Sequence, residues 1–188
     1  MNSLKETQIL LNKHREGDLE SLDHLYSKYY TRLGAIVRAR IGTSLKSNTS
    51  EEDILQSAIM ESLKSIDKFE YRTEGAFMHW MGKIITNKIN DKASFFKAKK
   101  RDASKTVGEV DVINEPIAQT LTPSAVMSKN EDIENLYQLL DSLPEDQKEL
   151  IIMNKIEEMS YSEIALEIDS TPEAVRKKIS RIMIKLSE

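Results

Sequence analysis

Between Leu19 and Ile41 the side chains Leu22, Leu25, Tyr26, Tyr29, Leu33, Ile36 and Val37 recur every three or four residues. That spacing places them on one face of an α-helix. A helix with such a stripe is held in water by burying the stripe against other elements, so this segment demands helical partners. The sequence supplies them. Leu55, Ala58, Ile59, Leu63 and Ile66 form a second stripe behind Thr49 or Ser50, each of which has an acid three residues on, Glu52 or Asp53. This is the arrangement of a capping box. From Gly75 to about Phe96, Phe77, Met81, Ile84, Ile85 and Ile89 share a third face, with Lys83, Asn87, Asn90 and Ser94 opposite and Trp80 on the border. Trp80 is therefore read as core before stacking platform, while Phe95 and Phe96 fit either role. A shorter helix is expected from about Leu4 to Glu16, and the Gly42 to Ser50 stretch breaks the pattern. With six glycines and four prolines among 188 residues, the expected class is all-α.

Periodicity fails from about Asp102 to Asn130, where Pro116, Pro123, Glu109, Asp111 and Glu115 stand with no basic residue between Thr106 and Ser128. It returns at Ile133, Leu136, Tyr137, Leu139 and Leu140. The expected organisation is two small helical domains, residues 1–101 and 131–188, joined by a flexible acidic linker, residues 102–130. The chain has no cysteine, which leaves no disulfide framework and no thiolate metal site and fits a reducing compartment. Met1 to Glu16 mixes charges with short apolar pairs, unlike a secretion signal, and the longest apolar run, Leu150 to Met153, is too short to span a bilayer. A cytoplasmic protein without membrane insertion is expected. The formal net charge is -4, but from Lys83 to Lys105 eight cations face only Asp91 and Asp102, a local balance of +6. That stretch can face phosphate.

The C-terminal residues carry the most specific local signal. Ser160-Tyr161-Ser162-Glu163 reads as a capping box opening a short helix with Ile164, Ala165 and Ile168 inward, and Asp169-Ser170 as a turn. Ser170 or Thr171 then caps a second helix, with Pro172 in its first turn and Glu173 placed to close a box from Ser170. Two helices joined so tightly cross steeply, as in a helix-turn-helix. In the second helix Val175, Ile179, Ile182 and Leu186 share one face, while Glu173, Lys177 and Ser180 project oppositely, flanked by Arg176 and Arg181. Such side chains suit a recognition helix in the major groove, where they read base edges and phosphates. The competing reading is a solvated amphipathic helix, and Ile184 on the polar face suits neither.

Leu143-Pro144-Glu145, Ser160 to Ala165 and Ser170 to Arg176 together resemble region four of sigma factors, with Asp169 where the family usually has a turn glycine. The first half independently resembles region two, through Gly17-Asp18, Leu25-Tyr26, Glu52-Asp53-Ile54-Leu55-Gln56, Phe77-Met78-His79-Trp80 and Ile84-Ile85-Thr86-Asn87. Two matches in this order, with no further regions, resemble the extracytoplasmic-function group of the sigma-70 family. The resemblance implies that Asp53, Leu55 and Gln56 dock on the clamp helices of the largest subunit of core RNA polymerase, with Ser57 standing where an acid is usual. It implies that Lys83, Asn87 and Asn90 read and open the minus-ten element, an unstacked base needing a polar pocket and the single strand needing cations such as Lys92, Lys97, Lys99, Lys100 and Arg101. Region four would bind the minus-thirty-five duplex through Glu173, Arg176, Lys177, Ser180 and Arg181. The partners implied are core RNA polymerase, promoter DNA and an anti-sigma factor.

The sequence leaves three rivals. His14, His24 and His79 show no metal-ligand spacing, and no phosphate loop or nucleophile motif is present, so the chain is expected not to be an enzyme and to need no metal or cofactor. A sigma-like adaptor or decoy that binds an anti-sigma protein without selecting promoters remains open, although the basic residues at Lys97 to Arg101 count against it. A free-standing helix-turn-helix regulator is disfavoured by the region-two match.

Overall fold

The structure is a computed structural model, and it describes residues 3–73, 75–105 and 137–186. Every regular element among them is helical. The first half contains α1 (Ser3–Arg15), α2 (Glu20–Arg40), the short α3 (Thr43–Lys46), α4 (Glu51–Leu63), a 3₁₀ turn at Ile66–Lys68 and the long α5 (Ala76–Lys105). The second half contains α6 (residues 137–141), α7 (Glu145–Ile151) running into a π-helical turn at Ile152–Ile156, α8 (Tyr161–Glu167) and α9 (Pro172–Leu186).

Helix α2 is the spine of the first half. Its stripe buries Leu25, Tyr29, Leu33, Ile36 and Val37 against Ile54, Leu55 and Ala58 of α4 and Phe77, Met81 and Ile85 of α5. Each fully buried side chain of this size contributes about 1.5–3 kcal/mol relative to exposure. Tyr29 packs on Phe77 with ring centroids 4.8 Å apart, and its hydroxyl shares a 2.7 Å hydrogen bond with Thr7 of α1. Tyr26 and Ser62 share another at 2.6 Å, tying α2 to α4. The expected cap resolves to Ser50, whose Oγ accepts from the Asp53 amide while the Asp53 carboxylate accepts from the Ser50 amide. Within the expected break, α3 buries Leu45, anchoring the loop.

The third stripe extends further than its apolar residues suggest. Helix α5 continues past Phe96 to Lys105, four residues beyond the expected boundary at 101, through a stretch in which lysine, alanine and arginine outnumber Asp102 and Ser104 and glycine and proline are absent. Such residues favour helix without a core to pack on. Residues 106–130, the rest of the expected linker, and Ile133 and Leu136 lie outside the described residues.

The second half has its own core: Leu140, Leu143, Leu150, Ile151, Met153, Met159, Ile164, Ala165, Val175, Ile179 and Ile182. The Ser160–Glu163 capping box forms in both directions. Asp169 takes φ 51°, the left-handed conformation that lets α8 turn into α9. Two details differ from expectation. Ile168 ends α8 and is 36% exposed, because the helix stops at Glu167 and the chain turns it out of the core. The cap of α9 is Thr171, whose Oγ1 accepts from the Ala174 amide at 3.2 Å, while the Glu173 carboxylate pairs with Lys177 at 3.0 Å.

The two halves touch. Ile156 packs on the first core, and the Arg32 guanidinium donates to its carbonyl oxygen at 3.0 Å. Gly75, at the start of α5, makes room for this turn, since a Cβ there would come within 3.1 Å of the Glu157 and Glu158 carbonyl oxygens.

Candidate nucleic-acid interface

Helix α5 presents two faces because its apolar face is fully engaged. Phe77, Met81, Ile85 and Ile89 point into the first core, which leaves Lys83, Asn87 and Asn90 exposed on the far side. Asn87 and Asn90 line a shallow depression with Glu61, Ile84, Lys88 and Asp91, between α4 and α5. Lys88, one of the eight cations of the basic stretch, is drawn to Glu61 at 2.9 Å and fixes one wall of it. Further along, Lys97, Lys99, Lys100 and Arg101 are exposed and Lys92 is partly buried. The two phenylalanines divide: Phe96 packs on the core, whereas Phe95 is 61% exposed among the cations, with its ring 5.4 Å from that of Phe96. An exposed ring beside cations is a surface on which a nucleobase can stack. Trp80 lies against the core, stacked on Phe69 at 4.8 Å, with an edge reaching a second depression lined by Ser65, Lys68, Glu70 and Arg72.

One cation of this face is engaged by the other half. Lys83 Nζ lies 3.0 Å from a carboxylate oxygen of Glu167, at the end of α8 in the other half. His79, one turn before it, shares Glu167 through Nε2 at 3.4 Å and meets Glu157 through Nδ1 at 2.9 Å. The hydrogen bond to Glu157 raises the pKa of His79 above its ordinary value, against the opposing effect of burial. Burial alone would raise the Glu167 carboxyl, yet its hydrogen bond to Lys83 and the nearby charges bring it below the usual range.

The three residues expected to dock on polymerase divide by environment. Asp53 and Gln56 are exposed on α4, although Asp53 already accepts the Ser50 amide. Leu55 is 3% exposed, so its side chain belongs to the core and supports the surface its neighbours form. Ser57 donates to the Asp53 carbonyl oxygen at 2.7 Å, which turns its hydroxyl back onto the helix.

In the second half, Glu173, Arg176, Lys177, Ser180 and Arg181 are all exposed on α9, backed by buried Val175, Ile179 and Ile182. Their common face is set by the core behind them. Among the described residues no group of three or more His, Asp or Glu could hold a metal ion, and no helix is long and apolar enough to cross a membrane.

The sequence reading missed Glu157. It is 0% exposed, faces Arg40 and His79 of the other half, and lies beside Gly82, where a Cβ would collide with its carboxylate. A glutamate beside a single second glutamate gives no sign of burial, and the only local hint is the mixed polarity of Asn154 to Glu158 after an apolar run.

Residues 133–186 match the family model for sigma-70 region 4. Over 179 residues the chain is 26% identical to the ECF RNA polymerase sigma-E factor of Haemophilus influenzae, covering 93% of this chain and 89% of that one. It is 24% identical over the same length to the ECF RNA polymerase sigma-E factor of Escherichia coli K12, covering 88% of it. Among solved structures, CnrH in complex with the cytosolic domain of CnrY shares the fold with a TM-score of 0.57 at 20% identity, over 97% of this chain and 95% of that one. The sigma factor RpoE of Bartonella quintana, in complex with the anti-sigma factor NepR, shares it with a TM-score of 0.57 at 18% identity, over 89% and 95%.

Proposed function

The chain belongs to the extracytoplasmic-function group of the sigma-70 family, and from that premise we propose how it directs core RNA polymerase to specific promoters and helps to open them. The work is divided between residues 1–101, which dock on polymerase and act on the minus-ten element, and residues 131–188, which bind the minus-thirty-five duplex. Residues 102–130 tether them. Tethering turns the second contact into an intramolecular event, so two weak sites become one selective one.

The observation that carries this division is that each half has a separate hydrophobic core behind a separate polar face. On α4, Asp53 and Gln56 offer acceptor and amide groups to the polymerase, and Leu55 holds the helix in place from beneath. On α5, Asn87 and Asn90 supply donors and acceptors beside a depression able to receive the edge of an unstacked base. Lys83, Lys92, Lys97, Lys99, Lys100 and Arg101 hold the single-stranded backbone, with Phe95 available for stacking. On α9, Arg176, Lys177, Ser180, Arg181 and Glu173 face the major groove. The chain is a regulatory subunit, and the bond-making chemistry is the polymerase's. It works where the polymerase does, in the cytoplasm.

The two structural neighbours were each solved bound to another protein, one of them named an anti-sigma factor. A partner of that kind fits this chain as well. The test is reconstitution: the protein is mixed with core polymerase and the host's DNA, and start sites are mapped. Initiation at defined sites is expected, and Asp53→Ala with Gln56→Ala should weaken core binding. A protein that binds core but selects no start site is the adaptor; one that binds DNA without core is the free-standing regulator.

A further inference from the structure

The depression between α4 and α5 carries more acid than a surface facing DNA needs. Ile84, Asn87, Lys88 and Asp91 follow one another every three or four residues along one side of α5, Asn90 flanks them, and Glu61 closes the depression from α4. Two carboxylates therefore share it with one lysine. Asp91 is peripheral, with its side chain 73% exposed and 3.9 Å from Lys88. Glu61 is 40% exposed and is fixed in place.

Two cations hold Glu61, both on the same oxygen. Lys88 donates to Oε2 at 2.9 Å and Lys64 donates to Oε2 at 3.0 Å. The hydrogen bond from Lys88, then that from Lys64, keeps the carboxyl below its ordinary value, so it is ionised at neutral pH. Oε1 receives no hydrogen bond among the described residues, and the Asn87 and Asn90 amides have no partner there either. Ile84, partly buried against the first core, supplies an apolar floor. With a volume of about 340 Å³, this is a polar rim over an apolar floor at the small end of the sizes that take small molecules.

The chemistry of DNA decides what an open carboxylate oxygen can meet. Phosphate oxygens repel it, deoxyribose within a strand offers no donor, and the donors that remain are on the bases. Unpaired adenine, cytosine and guanine each present an exocyclic amino group. Thymine presents only a ring N–H set between two carbonyl oxygens, so its edge brings an acceptor against the carboxylate. An amino group in that place makes a charge-assisted hydrogen bond. The asparagine amides both donate and accept and so adapt to any base, whereas an ionised glutamate can only accept. Discrimination falls to Glu61.

We propose that Glu61 is a specificity-determining residue of the minus-ten site, whose Oε1 accepts the exocyclic amino group of an unstacked base and disfavours thymine there. This rests on the sigma-factor reading given above. Lys88 and Lys64 act through Glu61 as positioning residues, each taking Oε2 and leaving Oε1 for the base.

The test uses the full chain assembled with core polymerase on a promoter library randomised across the minus-ten segment, with the templates that initiate then sequenced. One position should show thymine depleted about tenfold relative to the amino-bearing bases, the effect of one hydrogen bond to a charged group. Glu61→Gln, whose amide can donate to a thymine carbonyl, should shrink that depletion to about twofold and leave other positions unchanged. Lys64→Ala removes one partner of the carboxylate without removing the carboxylate, and the depletion should persist. At the same position an analogue lacking the amino group is then placed: purine for adenine, 2-pyrimidinone for cytosine or inosine for guanosine. It should cost the parent protein about tenfold in open-complex formation and the Glu61→Gln protein little. A parent protein indifferent to the analogue would overturn the proposal. So would a Glu61→Gln protein weakened equally on every sequence, since Glu61 would then only tie α4 to α5. Failure of the parent protein to bind core or to initiate at defined sites would instead remove the sigma-factor reading.

Discussion

The first half builds its polar face on the back of long helices, whereas the second builds its own from short helices held by caps and one left-handed turn. In α5 the exposed cations and asparagines are fixed by Phe77, Met81, Ile85 and Ile89 on the opposite side of the same helix. In α9 the exposed residues are aimed by Thr171, Pro172 and Asp169 as well as by the core. The difference teaches where each half is fragile: the first in its core, the second at its helix ends.

Core truncation should give the largest effect. Phe77→Ala, at 0% exposure and in contact with the rings of Tyr26, Tyr29, Phe69 and Trp80, should cost about 3–5 kcal/mol. Ile179→Ala in the smaller core should cost about 2–5 kcal/mol. Trp80 is the only tryptophan and reports on the first half alone. In urea titrations Phe77→Ala should move the Trp80 fluorescence transition, while Ile179→Ala should move only part of the helical signal. One shared transition for both variants would erase the distinction between the halves.

Next in size is DNA binding. With Arg176→Ala or Lys177→Ala, affinity for a minus-thirty-five duplex should fall by about 1–3 kcal/mol where a base is contacted and by less for phosphate alone. Binding isotherms at several salt concentrations separate the two, since a lost phosphate contact lowers the salt slope by about one. Equal losses on every sequence would reduce α9 to a non-specific clamp.

Cap removal follows. Ser160→Ala breaks a capping box on a helix of 7 residues and Ser50→Ala breaks one on a helix of 13. Each should cost about 1 kcal/mol in thermal or urea unfolding. If the second half depends on its helix ends, only Ser160→Ala should also weaken duplex binding.

Smallest is the pH response of the contact between the halves. The charged and titratable groups around His79 are Glu157 from the π-turn, Glu167 and Glu163 from α8, and Lys83 from α5, with Arg40 of α2 behind Glu157. Because contact with Glu157 raises the pKa of His79, protonated His79 favours the contact between the halves. That contribution is complete below the free-imidazole value of about 6.5 and disappears as pH rises through the raised one. Stability to urea should therefore fall as pH rises from the free-imidazole value through the raised one, and a rise there would contradict the assignment.

Much of this was legible in the sequence because it is local. The stripes of α2, α4 and α5, the Ser50 and Ser160 capping boxes and the α8–α9 turn each involve residues within a few positions of one another. The site faces followed from the same periodicity, since the residues opposite a buried stripe must be outside. Leu55 shows its limit: it belonged both to the stripe and to the expected docking motif, and periodicity alone could not choose between core and surface, because in a helix the two can overlap. The π-turn, the burial of Glu157 and its partnership with Arg40 depend on contact between residues far apart in the chain. No spacing rule reaches that far.

Gly82 lies inside α5 directly beneath the Glu157 carboxylate, where any side chain would collide with Glu157 and Arg40. A glycine inside a helix costs roughly 0.5–1 kcal/mol relative to alanine. Gly82→Ala would therefore favour the helix but must displace the buried Glu157 carboxylate and the Arg40 guanidinium, without altering a single charge. At this position helix propensity gives way to contact, and a bare hydrogen at residue 82 is what lets the Glu157 carboxylate lie against α5.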